Sequence, residues 1–355
     1  MRRAVVPMPL VSAHGTELRA DARPFRAFGF NYIGGPDRMG TLEFFHRPTP
    51  ERLREIASHM RVAKDLGANT LRIYLELFAF INRVDGEVRV RRRALRALEQ
   101  VLARAERLRL YLDVTGNLVW TPGGSPPWYD AMSARQRWRI QVEFWRAVAG
   151  VAARSPAVLC YELCSEPWIS AEPQSAWYVA NLGGYNFGQL LVRDAAGCNP
   201  ELLARGWIRS MSRAIRGHDR RHLIGIGLLP FRPGSFSPAN VAERLDVLLV
   251  HAYPTNESVD GWVAIIRDFA SHGRPLILGE TFTLRDDEAA QRRFLLGARP
   301  HLAGYLSFFD GRTPDEVAGE TPADVVYRAG LQQFVDLRPR LLRVNASRPP
   351  EAPRG

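Results

Sequence analysis

The sequence predicts an α/β fold of the (β/α)8 barrel type (a TIM barrel), on two observations. Short apolar segments alternate with amphipathic, Arg/Ala/Leu-rich segments through eight units with short connections. The turn after the first apolar segment, GFNYIGG, has glycines but not the G-x-G-x-x-G spacing of a doubly wound nucleotide fold. A chain of 355 residues has enough material for one such barrel.

The elements follow in order. RAFGFNYIG (26–34) reads as the first strand, before a polar loop and a helix near 50–66. NTLRIYL (69–75) is the second strand, with a helix near 92–107. LYLDVTG (110–116) is the third, and the Gly/Pro-rich VWTPGGSPPW leads to a long helix over 133–153. AVLCYEL (157–163) is the fourth, nearly continuous in apolar residues as a strand buried on both faces should be. An excursion over 168–200 precedes a helix near 202–217 and the fifth strand, HLIGIG (222–227). DVLLVHAY (246–253) and PLILGE (275–280) are the sixth and seventh, with helices near 258–272 and 286–298. GYLSFF (304–309) is the eighth, before a last helix near 321–335. The expectation is one catalytic domain over 1–340, with its barrel core at about 26–335 and long loops at 116–130 and 168–200. The tail 341–355, rich in Pro and Arg, is expected to be disordered.

Composition narrows the function. The chain is 46% hydrophobic and 24% charged, with a formal charge of +11. Such a charge invites a nucleic-acid reading, but Lys64 is the only lysine among 48 basic residues, and the arginines are spread over helices among acids. No zinc-finger, RNP or P-loop pattern accompanies them, so the basic surface reads as solvated and no nucleic-acid partner is expected. Cys160, Cys164 and Cys198 suggest neither a disulfide scaffold nor a zinc cluster. The N-terminus makes a poor signal peptide and no segment is long enough to span a membrane. A cytoplasmic protein without a membrane partner is the expectation, and the oligomeric state is not legible.

A barrel opens all its strand ends into one pocket. Those ends carry Asn31 and Tyr32, Arg72, Asn117, Glu166, His251 and Tyr253, Glu280, and Phe308 and Phe309. Two carboxylates, at the ends of strands four and seven, suit glycosyl transfer. One must be protonated to protonate the leaving oxygen, and the other ionised to attack the anomeric carbon. Glu280 closes the apolar run LILGE and would be the nucleophile, with Arg72 and Tyr253 keeping it ionised and oriented. Glu166 would be the general acid and then the base, and His251 would bond Glu166 or the sugar. Trp120, Trp128, Trp168 and Phe309 would offer faces for a sugar to stack on, although each suits ordinary loop packing equally well.

With those residues placed, the chain resembles the retaining glycoside hydrolases of the (β/α)8 clan typified by the cellulase and mannanase family 5. The resemblance runs from about residue 26 to 310 and is carried by GFNYIG, GANTLRIYL, YELCSEPW, VHAYP and LILGET. It implies Glu166 as acid/base, Glu280 as nucleophile, Arg72 as its partner, and His251 and Tyr253 as pocket residues. In that family an asparagine usually precedes the acid/base; here the position is Ser165. The family often has a histidine at the third strand end and a tryptophan at the eighth, where this chain has DVTGN and SFFDG. Asn117 and either Phe308 or Phe309 stand in those places.

The expected function is therefore hydrolysis of O-glycosidic bonds by double displacement, on a small carbohydrate or glycoside, β-linked and gluco- or manno-configured. No cofactor and no metal are called for: of eight histidines only His251 sits at a strand end suited to a ligand. Two rivals stay open, a transglycosylase using the same two glutamates and a barrel that binds carbohydrate without cleaving it.

Overall fold

The computed structural model describes residues 7–34, 40–118, 125–182, 185–230, 234–282, 288–319 and 321–343. Eight parallel strands close into a barrel: β1 (Ala27–Tyr32), β2 (Thr70–Glu76), β3 (Tyr111–Leu118), β4 (Val158–Ser165), β5 (Leu223–Leu228), β6 (Leu248–His251), β7 (Leu276–Glu280) and β8 (Gly304–Phe309). Their spatial order follows the sequence, and β8 pairs with β1, Phe308 opposite Asn31. The fold is the (β/α)8 barrel that the strand–helix alternation predicts.

Among the described residues, seven long helices lie around it: α1 (Pro50–Asp65), α2 (Arg92–Leu108), α3 (Ala134–Ala152), α4 (Pro200–Arg216), α5 (Val259–Ala270), α6 (Glu288–Ala298) and α7 (Pro322–Leu341). Their starts are chemically marked. The Asn199 side chain accepts from the Glu201 and Leu202 amides at the head of α4, and Ser133 and Thr321 form reciprocal capping boxes with Gln136 and Asp324. α7 runs beyond its expected end because Leu337 and Leu341 are buried against the barrel. Of the tail expected to be disordered, 341–355, the first residue does not fit: Leu341 is buried as the last residue of α7, and residues 344–355 lie outside the described residues.

Among the described residues, the architecture departs from eight uniform units in three places. Between β5 and β6 the described residues of the connection form short helical turns, Gly234–Phe236, Pro238–Val241 and Ala242–Arg244. A hairpin, Ile81–Val84 with Glu87–Val90, is inserted between β2 and α2. The excursion after β4 is a small sheet: Tyr185–Val192 pairs antiparallel with Tyr178–Leu182 and parallel with Trp168–Ile169. Ahead of the barrel, Val11–His14, Glu17–Ala20 and Arg23–Phe25 form a three-stranded meander. Among the described residues no helix is long and apolar enough to cross a membrane.

The barrel interior is polar near its C-terminal mouth. Register places Asn31 beside Arg72, Arg72 beside Asp113, and Asp113 beside Cys160. The next row runs Tyr74, Thr115, Glu162 and Gly225. These rows are the side-chain layers that strand tilt produces in such a barrel, and here they build the floor of the site.

Candidate active site

Glu280 ends β7 and Glu166 directly follows β4. Their side chains are 13% and 14% exposed, whereas Arg72 beneath them is fully buried. The two carboxylates thus meet the opening and the guanidinium does not. One oxygen of each lies within 4.8 Å of the other and of a His251 ring nitrogen, a spacing close to the roughly 5 Å of retaining glycosidases.

The two carboxylates have different neighbours. Arg72 Nη1 donates to Glu280 Oε1, and the Tyr253 hydroxyl donates to Glu280 Oε2 at 2.5 Å. Burial by itself would raise the Glu280 pKa; the charges of His251 and Arg72 and the hydrogen bonds from Tyr253 and Arg72 outweigh it and hold the carboxyl below its ordinary range. Glu166 is met by His251, whose Nδ1 stands 2.7 Å from Oε1. The same Nδ1 is 3.6 Å from Glu280 Oε1, so the imidazole sits between the pair. Burial would favour neutral His251, but the Glu280 charge and the bond to Glu166 prevail and raise its pKa.

Backbone geometry aims the acid side. Glu166 has φ 54°, in the left-handed region that non-glycine residues rarely occupy, and its amide donates to the Gly227 carbonyl at 2.9 Å. Gly227 leaves the necessary space: a Cβ there would collide with Glu162 Oε1 and lie 3.0 Å from His251 Nε2. Gly279, one residue before the other carboxylate, has its Cβ direction 3.3 Å from the His251 ring.

The remaining expected site residues divide. Phe308 faces the mouth and stacks on Tyr253, with ring centroids 6.4 Å apart. Phe309 points to the helix layer, against Phe30 and Tyr32, so Phe308 is the inward phenylalanine of the pair. Tyr32 also faces outward, its hydroxyl 2.7 Å from His59 Nδ1, and does not reach the opening. Asn31 is fully buried; its amide donates to the Gly279 and Ser307 carbonyls while its oxygen accepts from Tyr74 and Arg72. Those four bonds exhaust an asparagine side chain, so Asn31 ties β1, β7, β8 and Arg72 together instead of facing a ligand. Ser165 closes β4 at 8% exposure, just before Glu166. Trp168 is half-buried and borders a cleft of about 600 Å³ with Ser170, Asn199 and Ser235. Trp128 packs edge-on against Phe78. Trp120 and the side chain of Asn117 lie outside the described residues.

Four buried groups of the floor were not among the expected residues. Glu162 grips Arg72, Thr115 bonds both of them, Tyr74 bonds Arg72 and Asn31, and Asp113 lies behind. The available signal was a charged residue inside the apolar run AVLCYEL. Burial and the neighbouring Glu162 push the Asp113 pKa far up, and burial does the same to the Cys160 thiol. Cys160 donates to Asp113 Oδ1 at 3.3 Å.

Glu166, His251 and Glu280 are the one group of described side chains with metal-ligand proximity. Glu280 already accepts from a guanidinium and a phenol, and the His251 nitrogen is engaged with Glu166. Nδ1 and the Glu280 oxygens are thus held in hydrogen bonds with a fixed cation beside them, while His251 Nε2 has no hydrogen-bond partner among the described residues.

No protein-family profile matches the chain. A curated relative, mannan endo-1,4-β-mannosidase 2 of Oryza sativa subsp. japonica, is 21% identical over 284 residues, 73% of this chain and 55% of the relative. The chain thus spans about half the length of that protein. Among solved structures, GH5_18 from Streptomyces cattleya in complex with GlcNAc superposes with TM-score 0.67 at 15% identity, covering 92% of this chain and 82% of that one. The endo-1,4-β-mannanase from Rhizomucor miehei gives 0.62 at 15% identity, over 91% and 99%. The exo-β-1,4-mannosidase Op5Man5 from an Opitutaceae bacterium gives 0.65 at 17%, over 93% and 62%. The chain has the (β/α)8 barrel fold of these solved structures, the fold of the glycoside hydrolase clan that its strand-end motifs resemble.

Proposed function

We propose that this protein is a retaining glycoside hydrolase acting on β-linked, manno- or gluco-configured oligosaccharides or glycosides. One observation carries the reading: two carboxylates within 4.8 Å, one held by a guanidinium and a phenol, the other met by a histidine. In this reading Glu280, kept ionised, attacks the anomeric carbon and forms a glycosyl-enzyme ester. Glu166 delivers its proton to the departing oxygen, then takes a proton from the water that cleaves the ester. His251 Nδ1 hydrogen-bonds Glu166 and steadies it through both changes of state. Phe308, stacked on Tyr253, offers an apolar wall to a sugar face. The manno alternative draws support from the similarity to a mannan endo-1,4-β-mannosidase and an exo-β-1,4-mannosidase.

The test is hydrolysis of a panel of aryl β-glycosides and short manno- and cello-oligosaccharides by the wild type, Glu166→Ala and Glu280→Ala. Turnover should be lost in Glu280→Ala and restored by azide as an α-glycosyl azide. In Glu166→Ala it should persist only on glycosides with good leaving groups, with azide yielding the β-glycosyl azide. A folded wild type inert on the whole panel would refute the reading. Activity undiminished in Glu280→Ala would also refute it. A product mixture dominated by alcohol glycosides when an alcohol competes with water would favour transglycosylation by the same pair.

A further inference from the structure

Among the described residues, the most heavily bonded carboxylate of the barrel belongs to neither proposed catalytic residue. Glu162, fully buried on β4, accepts from Arg72 Nε through Oε2 and from Arg72 Nη2 through Oε1, both at 2.6 Å. This two-pronged grip matches the fixed fork of a guanidinium. The Thr115 hydroxyl locks it, 2.9 Å from Arg72 Nε and donating to Glu162 Oε2 at 2.8 Å. Arg72 is left with Nη1, which reaches Asn31, Tyr74 and Glu280. Gly227 provides the room, since a side chain there would strike Glu162.

We propose that Glu162 is a positioning residue for the reaction: it fixes Arg72 so that Nη1 alone meets Glu280, and offsets enough guanidinium charge for Glu280 to stay nucleophilic. The inference rests on the glycosidase reading above. Electrostatics gives the physical reason. A buried arginine facing one carboxylate would stabilise that carboxylate's charge fully and make it a poorer nucleophile; a second carboxylate on its far side shares that field. The charged and titratable groups facing Glu280 are Arg72, His251, Tyr253, Tyr74 and Glu166. Glu162 reaches it only through Arg72, with Asp113 and Cys160 behind.

The test uses Glu162→Gln in the full chain, with the wild type and Thr115→Val alongside, on the best substrate of the panel. Glu162→Gln should lower kcat about ten- to a hundredfold, since sub-ångström misplacement near reacting atoms has that scale. KM should change less than about threefold, because Glu162 touches no substrate. The acid limb of kcat/KM, which follows ionisation of Glu280, should move to lower pH as the guanidinium charge is left uncompensated. Thr115→Val removes a lock on the pair but no charge, so kcat should fall by a smaller factor at little-changed KM with the acid limb in place, and that split decides the matter if Glu162→Gln does not fold. In Glu162→Gln an acid limb that stays put or moves to higher pH overturns the proposal and makes Glu162 merely structural; in Thr115→Val an unaltered kcat does the same. A wild type without turnover overturns the glycosidase reading and this proposal together, whereas an active wild type with unaltered variants overturns this one alone.

Discussion

Tyr253 shows how much one hydroxyl can contribute at the mouth of this barrel. It donates to Glu280 at 2.5 Å from a site where burial pushes its own pKa well up, so it remains a phenol and a donor. A hydrogen bond to a charged group is worth about 1.5–3 kcal/mol. Tyr253→Phe should therefore cost roughly ten- to a hundredfold in kcat/KM and, by removing a group that favours ionised Glu280, shift the acid limb to higher pH. This direction is opposite to that expected for Glu162→Gln, so pH profiles of the two variants separate their roles; an unmoved limb in Tyr253→Phe would show that Arg72 and His251 suffice. At this scale the sequence marked residues at strand ends well. Glu166, Arg72, His251, Tyr253 and Glu280 converge as their positions suggest. It did not mark direction: the neighbours Asn31 and Tyr32, and likewise Phe308 and Phe309, point to opposite sides of the sheet. A one-residue uncertainty in where a strand starts exchanges inside for outside.

β4 and β5 illustrate how elements share the work. β4 carries Glu162 inward and ends one residue before Glu166, and β5 accommodates both through Gly227. Gly227→Ala should destabilise the fold by about 1–3 kcal/mol, the usual penalty of an overpacked interior, and displace His251; chemical denaturation with an activity assay checks both. A stable, fully active variant would show that Glu162 can yield. On the helix layer, Asn199→Ala removes the acceptor of two α4 amides and should cost about 1 kcal/mol without changing KM. Long elements were legible because their periodicity accumulates over many residues: each barrel strand is found within a few residues of its expected span. The short pieces, such as the meander of Val11–Phe25 and the hairpin of Ile81–Val90, were not. They hold together by ladder hydrogen bonds and bury few side chains, so their sequences carry little alternation to read.

For the whole molecule, pH should act on stability from two sides. Asp219 lies outside the barrel, bonded to His222 at 2.5 Å and to Tyr161 at 2.8 Å. Burial would raise its pKa, but the hydrogen bonds from His222, the Arg221 amide and Tyr161, with the His222 charge, lower it strongly. Glu280 is lowered as well. A depressed carboxyl contributes stability above its unfolded pKa of about 4 and loses it as pH falls towards the folded value. His251 is raised, so its contribution is complete below about pH 6.5 and is lost as pH rises through its folded pKa. Denaturant midpoints should thus be highest between about pH 5 and 6.5, and Asp219→Asn should flatten the acid side. An acid side equally steep in Asp219→Asn would assign the loss to other carboxylates.

The sequence by itself determined the barrel, the order of its strands and the two strand ends that carry the carboxylates. Each of these follows from local patterning: apolar runs, amphipathic periods and the polar residue that terminates each run. Only the tertiary structure decided that Arg72 faces two glutamates, that Glu162 sits beneath the pair and that Phe308 is the phenylalanine at the mouth. Barrel closure brings β1 against β8 and tilts the strands, and that tilt sets which residues of different strands share a layer. No segment of the chain encodes the layer alone, because it arises from the register among all eight strands.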